Sequence, residues 1–246
     1  AAESMSQAVD VAIIGGGFAA LSAALLMARA RLSVAIVHRG PLRNAAAHAS
    51  HGFITHDGAA PGDIWKASKL ELESKYAEYV RWIEGEVVSV ENKSAPTKIA
   101  FLATLADGTT LHARRLFLAT GSTDKLPDVT GLTALWGKKA HMCPYCDAFE
   151  YGAKARLGVM VADEKGLKLA TLMSNWSPEV IVFVDTAKVT PKDLHPTSKV
   201  LPLPEEFTWS GNMEDSITAY VPDESSPNKR KEVVIDGVFL QTTHQP

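Results

Sequence analysis

The amino-terminal part of this 246-residue chain has the pattern of a strand, a glycine turn and a helix. An apolar run over residues 9–14 ends at Gly15-Gly16-Gly17, and apolar residues then recur at helical spacing as far as Ala28. Residues 33–37 are apolar and β-branched, which is typical of a second strand. The pattern predicts a βαβ unit and therefore an α/β fold.

The glycine turn has the chemistry of a phosphate site. Gly15 permits the tight turn, Gly17 lets the backbone approach a pyrophosphate, and Ala20 takes the third position, where the helix must lie close to the strand. The following helix directs its N–H groups and its dipole at the phosphate. A structural glycine turn that binds nothing is the alternative.

The end of the second strand departs from the usual nucleotide site. An acidic residue normally accepts hydrogen bonds from the ribose there, but this chain has His38 and Arg39. A neutral imidazole accepts one hydrogen bond and a guanidinium accepts none. The substitution therefore predicts weaker adenosine binding, with His38 as the remaining candidate contact.

The rest of the chain predicts two parts. The first, residues 1–125, is a Rossmann-like domain in which a β-meander follows the βαβ unit, and in this order of elements it resembles domains of the FAD type. The second, residues 126–246, is a smaller α/β domain. The expected elements are a helix over 63–83, strands over 87–90, 98–105 and 110–118, a strand over 157–161, a helix over 164–176, and strands over 180–184, 217–221 and 232–240.

The only two cysteines form a C-x-x-C motif, Cys143 and Cys146, which Asp147 follows directly. As a redox pair, one thiol attacks a disulfide and the other resolves it, while the acid moves the proton. As half of a zinc site, the pair needs two more ligands, and His141 is a nearby candidate. Buried, inert cysteines are the third interpretation.

Three histidines at positions 48, 51 and 56 lie close together in an irregular segment. Metal binding is one interpretation, and loop histidines that bond to backbone or water are the other. No carboxylate cluster accompanies them, so we predict no metal site.

Composition limits the function further. The formal net charge is −3 with both signs mixed, which argues against a nucleic-acid partner. No apolar run has the length of a membrane helix, and residues 1–7 lack the features of a signal peptide. With only two cysteines in the chain, we expect a cytoplasmic protein whose disulfide is catalytic rather than structural.

In combination these motifs resemble the thioredoxin reductase-like flavoproteins, most closely the gliotoxin and holomycin dithiol oxidases of natural-product pathways. The matching landmarks run in family order over most of the chain. They are residues 10–17, Arg43-Asn44, residues 51–53 with 57–58, Ala119-Thr120-Gly121, residues 135–138 and residues 143–147.

The resemblance implies an FAD-dependent enzyme. FAD would lie on the glycine turn, with Arg43, Asn44, Ala119 and Gly121 among its contacts. Cys146 would be nearer the flavin, Cys143 would be the interchange thiol, and Asp147 would be the acid–base residue. Electrons would pass from a small-molecule dithiol to the cysteine pair, then to flavin and to O₂. Family members are commonly homodimers.

Two departures from the family bear on its cofactors. The turn at residues 161–166 lacks the second glycine motif and carries acids that repel phosphate, so we expect no NADPH use. The chain ends at Pro246, before the Gly-Asp segment that relatives place against the flavin, so we expect a carboxy-terminally shortened member.

Three features support a second hypothesis, a member that has lost FAD: the short carboxy-terminus, His38, and Phe18-Ala19-Ala20 in the phosphate turn, where relatives tend to have Pro-Ala-Gly. Such a member would catalyse a non-redox cyclisation or isomerisation of a natural-product intermediate, with Asp147 and the histidines of the 38–56 segment as acid–base groups.

Overall fold

The protein folds into two units, and its structure, a computed structural model, describes residues 8–93, 100–223, 225–226 and 229–245. The first unit comprises the described residues of 1–45 and 61–123, and the second those of 46–60 and 124–245. Residues 46–60 thus cluster with the second unit, although they fall within the first of the two parts predicted from the sequence. No helix in the described ranges is both long and apolar enough to cross a bilayer.

The first unit is a six-stranded sheet with two helices. Its elements are β1 (Val9–Ile14), α1 (Phe18–Arg29), β2 (Val34–His38), α2 (Pro61–Lys75), β3 (Val80–Glu84), β4 (Val87–Asn92), β5 (Phe101–Leu105) and β6 (Thr110–Leu118). The strand order is β3-β2-β1-β6-β5-β4. Strands β3, β2, β1 and β6 are parallel, while β4, β5 and β6 form the antiparallel meander. This is the predicted Rossmann-like arrangement.

Burial explains why the central strands have continuous apolar sequences. β1 and β2 are buried along most of their length, as expected for parallel strands that lack a solvent face. Helix α1 packs through small residues, since Ala20, Ala24 and Ala28 are at most 2% exposed. Alanines on this face let the helix lie close to the sheet, which directs the start of α1 towards the carboxyl ends of β1 and β2.

The predicted helix over 63–83 is wrong in its last third. Helix α2 ends at Lys75, and Val80–Glu84 forms strand β3. Tyr76 and Val80 fit both a helical and a strand spacing, so periodicity alone did not separate them. Parallel pairing with β2, from Val34↔Val80 to His38↔Glu84, gives these backbone groups partners that a continued helix would have supplied locally.

The second unit holds a five-stranded parallel sheet and smaller strands around it. Its elements are β7 (Thr123–Lys125, which begins at the unit boundary), α3 (Leu132–Leu135), β8 (Ala140–His141), α4 (Pro144–Asp147), a 3₁₀ turn (Phe149–Tyr151), β9 (Arg156–Val161), α5 (Glu164–Met173), β10 (Glu179–Val184), β11 (Lys199–Leu201), β12 (Glu206–Thr208), β13 (Ile217–Pro222), β14 (Arg230–Ile235), β15 (Gly237–Leu240) and β16 (Thr243–Gln245). The main sheet has the order β11-β10-β9-β15-β8, and a second sheet has the order β12-β13-β14.

The predicted strand over 232–240 is two strands. β14 pairs with β13 in an antiparallel hairpin, whereas β15 enters the main sheet parallel to β9 and β8. Asp236 separates the two strands, and its N–H donates to the carbonyl of Arg156 at 2.8 Å. A turn at Asp236-Gly237 inside this apolar run allows the chain to change sheets, and this Asp-Gly pair is a turn signal that the single predicted strand passed over. The α/β fold class is otherwise confirmed, with Rossmann-like parallel sheets in both units.

Candidate functional site

The two cysteines form a disulfide in the second unit. Cys143 is the N-cap of the short helix α4, Pro144 is its first residue, and Cys146 lies one turn further on. The two Cα atoms are 5.3 Å apart, which is within the usual range for a disulfide. Both cysteines are half-buried rather than enclosed in the core. The pair is therefore placed for exchange with a partner from outside.

A row of polar side chains continues from the cysteine pair into the protein. Asp147 lies 3.2 Å from Nδ1 of His141, measured at its Oδ1 atom. The other ring nitrogen of His141, Nε2, lies 2.8 Å from the hydroxyl of Tyr151. Gly237 makes room for this tyrosine, because a Cβ there would collide with the phenol ring. The sequence pointed to His141 only as a zinc ligand, and it gave no signal for Tyr151.

The glycine turn lies in the first unit, where β1 ends and α1 begins. Gly15 has φ +106°, and its N–H donates to the carbonyl of Val37 at 2.8 Å. Ala119 follows β6, donates to the carbonyl of Ile14 at 2.8 Å, and presents its own carbonyl to Gly15. Only a glycine avoids both the strained dihedral angle and a collision with that carbonyl.

The turn and the start of α1 fit a pyrophosphate. Gly17 is the N-cap of α1 and has no side chain that could accept from the helix N–H groups. The first turn of the helix contains no acidic residue. A Cβ at Gly17 would meet no atom within 4 Å, so its surface is open to an approaching group. The first N–H groups of the helix and its dipole are thus available to an anion.

A cluster of aromatic side chains lies beside the same turn, at the end of β2. A Cβ at Gly16 would lie 2.6 Å from Cβ of His38, and Trp65 donates its indole N–H to the Gly16 carbonyl at 2.7 Å. The rings of His38, Trp65 and Trp82 have pairwise centroid distances between 5.5 and 5.6 Å. Lys69 lies over the Trp82 ring, with Nζ 4.9 Å from the centroid.

His38 remains able to accept one hydrogen bond beside this turn. Burial is the main cause that lowers the pKa of His38, so its imidazole is neutral at pH 7. The neighbouring residue across the β2–β3 pair is Glu84, an exposed carboxylate. Glu84 is thus an acidic residue next to His38, and its charge opposes the lowering of the His38 pKa. The predicted helix over 63–83 covered most of β3, so the sequence did not indicate that Glu84 pairs with His38.

The remaining predicted cofactor residues lie in turns. Arg43 and Asn44 follow β2 in a turn, with Arg43 exposed and Asn44 half-buried, and Gly121 follows β6 with φ +69°. The structure brings Gly15, Gly17 and His38 together with Ala119 in the first unit. The cysteine pair and Asp147 come together in the second.

In the second unit, the amino-terminus of α5 is capped by an acidic side chain. Asp163 is the N-cap of α5, and its Oδ1 accepts from the N–H groups of Lys165 at 2.9 Å and Gly166 at 3.1 Å. In a nucleotide-binding turn, a phosphate accepts from such groups. The carboxylate of Asp163 takes that place here and adds a negative charge.

We expect Asp163→Ala to lower the free energy of unfolding by about 1 kcal/mol, because two N–H groups lose their acceptor. Asp163→Ser keeps an N-cap oxygen and is the matched control, with a change of a few tenths of a kcal/mol. Urea denaturation followed by circular dichroism measures both. Equal stability of the alanine variant and the wild type would contradict the capping role.

The clustered histidines have mixed surroundings. His51 lies 3.3 Å from Glu150 and 3.7 Å from Asp57, both distances being measured at Nδ1. His56 pairs with Thr55 at 2.9 Å, and its ring stacks on Phe53. Across the described ranges, no three His, Cys, Asp or Glu residues form a group that could hold a metal ion.

Comparison with known proteins fits this geometry. A family model described as pyridine nucleotide-disulphide oxidoreductase matches residues 9–194, a span that includes both the glycine turn and the cysteine pair. The chain belongs to this family. The predicted resemblance to thioredoxin reductase-like proteins is confirmed.

Among its relatives are two fungal thioredoxin reductases. The chain is 36% identical to thioredoxin reductase tcpT of Claviceps purpurea (strain 20.1), over 60% of this chain and 45% of tcpT. It is 30% identical to thioredoxin reductase sirT of Leptosphaeria maculans, over 72% of this chain and 55% of sirT. The matched region thus spans about half the length of these curated relatives.

Solved structures show the same fold. HlmI superposes with a TM-score of 0.81 at 29% identity, over 97% of this chain and 73% of HlmI. An oxidoreductase from Agrobacterium tumefaciens superposes with a TM-score of 0.79 at 29% identity, over 97% of this chain and 76% of that protein.

Proposed function

We propose that this protein is an FAD-dependent dithiol oxidase that closes a disulfide in a small molecule of natural-product biosynthesis. The observation that carries the proposal is the Cys143–Cys146 disulfide, half-buried on a short helix that ends in Asp147. Membership of a disulphide oxidoreductase family and similarity to fungal thioredoxin reductases support the redox chemistry.

The overall reaction needs only the small-molecule dithiol as reductant and O₂ as oxidant. A dithiol gives two electrons and two protons as its S–S bond forms, and the Cys143–Cys146 bond breaks as it accepts them. Bound FAD would carry the electron pair on to O₂, which with two protons becomes hydrogen peroxide. No nicotinamide is needed, and the capped turn at Asp163 opposes the binding of its pyrophosphate.

The first unit supplies the residues that would hold FAD. The open backbone at Gly17 and the uncapped start of α1 would bind the pyrophosphate. His38 and Glu84 would accept hydrogen bonds from the ribose hydroxyls. Arg43, Asn44 and Gly121 lie in the turns that follow β2 and β6.

The surface beside the cysteine pair suits an apolar substrate. Tyr145, between the two cysteines, is 70% exposed, and its ring meets the edge of Trp176 with centroids 5.0 Å apart. Phe149, just after the pair, is 78% exposed. Exposed aromatic rings around a redox pair favour a small aromatic or cyclic dithiol as the reductant.

One observation favours the second hypothesis, a cofactor-free cyclase or isomerase. The rings of His38 and Trp65 lie directly against Gly16, the middle glycine of the phosphate turn. If this aromatic cluster excludes the adenosine, the protein would carry out acid–base chemistry without flavin.

The visible spectrum of the purified protein separates the two hypotheses. For the oxidase, we expect flavin bands in the spectrum, and O₂ consumption with peroxide release when a small dithiol is added without NADPH. A colourless protein that gains no flavin from added FAD, and consumes no O₂, would contradict the proposal and favour the cyclase.

We propose a cytoplasmic homodimer, and light scattering of the same sample measures the oligomeric state.

A further inference from the structure

We propose that His141 positions the carboxylate of Asp147 for proton transfer at the cysteine pair, and that Tyr151 fixes His141 from the opposite side. The inference rests on the proposed redox cycle of Cys143 and Cys146. It assigns a role to two residues, His141 and Tyr151, that the disulfide itself does not require.

The imidazole of His141 has a partner at each nitrogen. Nδ1 faces Asp147 at 3.2 Å, and Nε2 faces the hydroxyl of Tyr151 at 2.8 Å. Here both partners are side chains, and one of them is the acid next to Cys146.

Burial fixes the imidazole in one orientation. The side chain of His141 is 5% exposed, and its ring packs against the rings of Tyr151 and Phe239, with centroid distances of 5.8 and 5.5 Å. Phe239 belongs to β15 and is fully buried. In such an apolar enclosure hydrogen bonds are stronger and side-chain rotation is restricted. Asp147, at the outer end, keeps 23% exposure.

The donor and acceptor roles follow from the ends of the row. An ionised carboxylate only accepts, so under this proposal Nδ1 of His141 is the donor across the 3.2 Å to Asp147. In the same tautomer Nε2 is an acceptor, and the Tyr151 hydroxyl donates to it. Burial, followed by the charges of Asp147 and Asp236, raises the pKa of Tyr151, which keeps this hydroxyl protonated.

Other charged groups face the row. Nζ of Lys139 lies 5.3 Å from the centre of the Tyr151 ring, and Lys139 is 4% exposed. Burial lowers the pKa of Lys139, while Asp236 and Asp215 oppose that change. Lys139 therefore lies at the tyrosine end of the row, whereas the carboxylate that His141 faces directly is Asp147.

The positioned acid has a defined task in the exchange. When a dithiol attacks the Cys143–Cys146 bond, one substrate thiol must lose a proton and one cysteine thiolate must gain one. Asp147, held as an acceptor by His141, takes the first proton and returns it to the leaving thiolate. The second substrate thiol then closes the new disulfide as the other cysteine gains the second proton.

The test uses two substitutions at one position. The amide of His141→Asn lies near the place of Nδ1 and keeps a donor for Asp147, whereas the amide of His141→Gln lies near Nε2 and keeps only the tyrosine side. The oxidised protein is mixed anaerobically with dithiothreitol, quenched, and its free thiols are counted by alkylation. This measurement needs neither flavin turnover nor O₂.

We expect His141→Gln to slow reduction of the cysteine pair about tenfold near neutral pH, as part of the hundredfold or more that proton transfer contributes. We expect His141→Asn to stay within about threefold of the wild type. The pH profile of the reduction rate should move in His141→Gln and stay in place in His141→Asn, because only the glutamine variant removes the donor that faces Asp147. His195→Gln, an exposed histidine of the same unit, is the matched control and should change nothing.

A double variant tests whether His141 acts through Asp147. Combined with Asp147→Asn, His141→Gln should add no further slowing. The inference would be overturned if the double variant slowed by the product of the two single effects, or if His141→Asn were as slow as His141→Gln. An unmoved pH profile in His141→Gln would also overturn it. A protein that lacks flavin but shows this pattern refutes the oxidase and keeps the positioning role. A flavin-containing oxidase that lacks this pattern keeps the proposed function and refutes the positioning role.

Discussion

Replacing Cys143 with Ser is expected to lower dithiol oxidation more than about a thousandfold, since removing one member of a catalytic unit removes most of its effect. The hydroxyl of serine cannot form a disulfide with Cys146, so no electron pair enters the protein from the substrate. O₂ consumption with a small dithiol measures the loss.

The same variant should fold normally. The disulfide closes a loop with a sequence separation of three, and a loop this short constrains the unfolded chain little. Its unfolding midpoint and flavin content should match those of the wild type. Full activity in Cys143→Ser would exclude a thiol relay and favour the cofactor-free hypothesis.

Gly15→Ala is expected to destabilise the first unit by at least about 2 kcal/mol. The new methyl group would collide with the Ala119 carbonyl, and the residue would keep a φ of +106° that alanine rarely adopts. This contact joins the end of β1 to the end of β6, so it cannot relax without moving a central strand. Urea denaturation followed by tryptophan fluorescence measures the change.

Gly17→Ala is the matched control in the same turn. Its added Cβ meets no atom within 4 Å, and its φ of −78° suits alanine. We expect its stability to stay within about 0.5 kcal/mol of the wild type, while FAD binding weakens because the methyl group enters the phosphate path. Equal stability of Gly15→Ala and Gly17→Ala would contradict the packing described for this turn.

The regular parts of the fold could be predicted from the sequence. β1 and β6 have the predicted bounds, because a buried parallel strand and an alternating meander strand have distinct patterns. The strand β3 could not be separated from α2, because Tyr76 and Val80 fit both periods. The Asp236-Gly237 pair signals a turn at the break, but the pairing of β15 with β9 and β8 is a long-range contact that no local pattern encodes.

The candidate site was predictable where it lies within one motif. The spacing of Cys143 and Cys146 was enough to suggest a pair, which the structure joins. The partners of His141 were not, since Asp147 and Tyr151 reach it only after the chain turns through α4 and the 3₁₀ segment. Trp65 and Glu84 likewise meet His38 through the packing of α2 and β3 on β2, and no short motif contains them.

The most direct test of the central claim is an anaerobic titration of the purified protein with a small dithiol while its visible absorption is recorded. The account predicts flavin bands that bleach as the dithiol is added, return when O₂ is admitted, and do not bleach in Cys143→Ser. NADPH in place of the dithiol should leave them unchanged, in keeping with the capped turn at Asp163. A protein without flavin bands, or bands that bleach with NADPH but not with dithiol, would contradict the account.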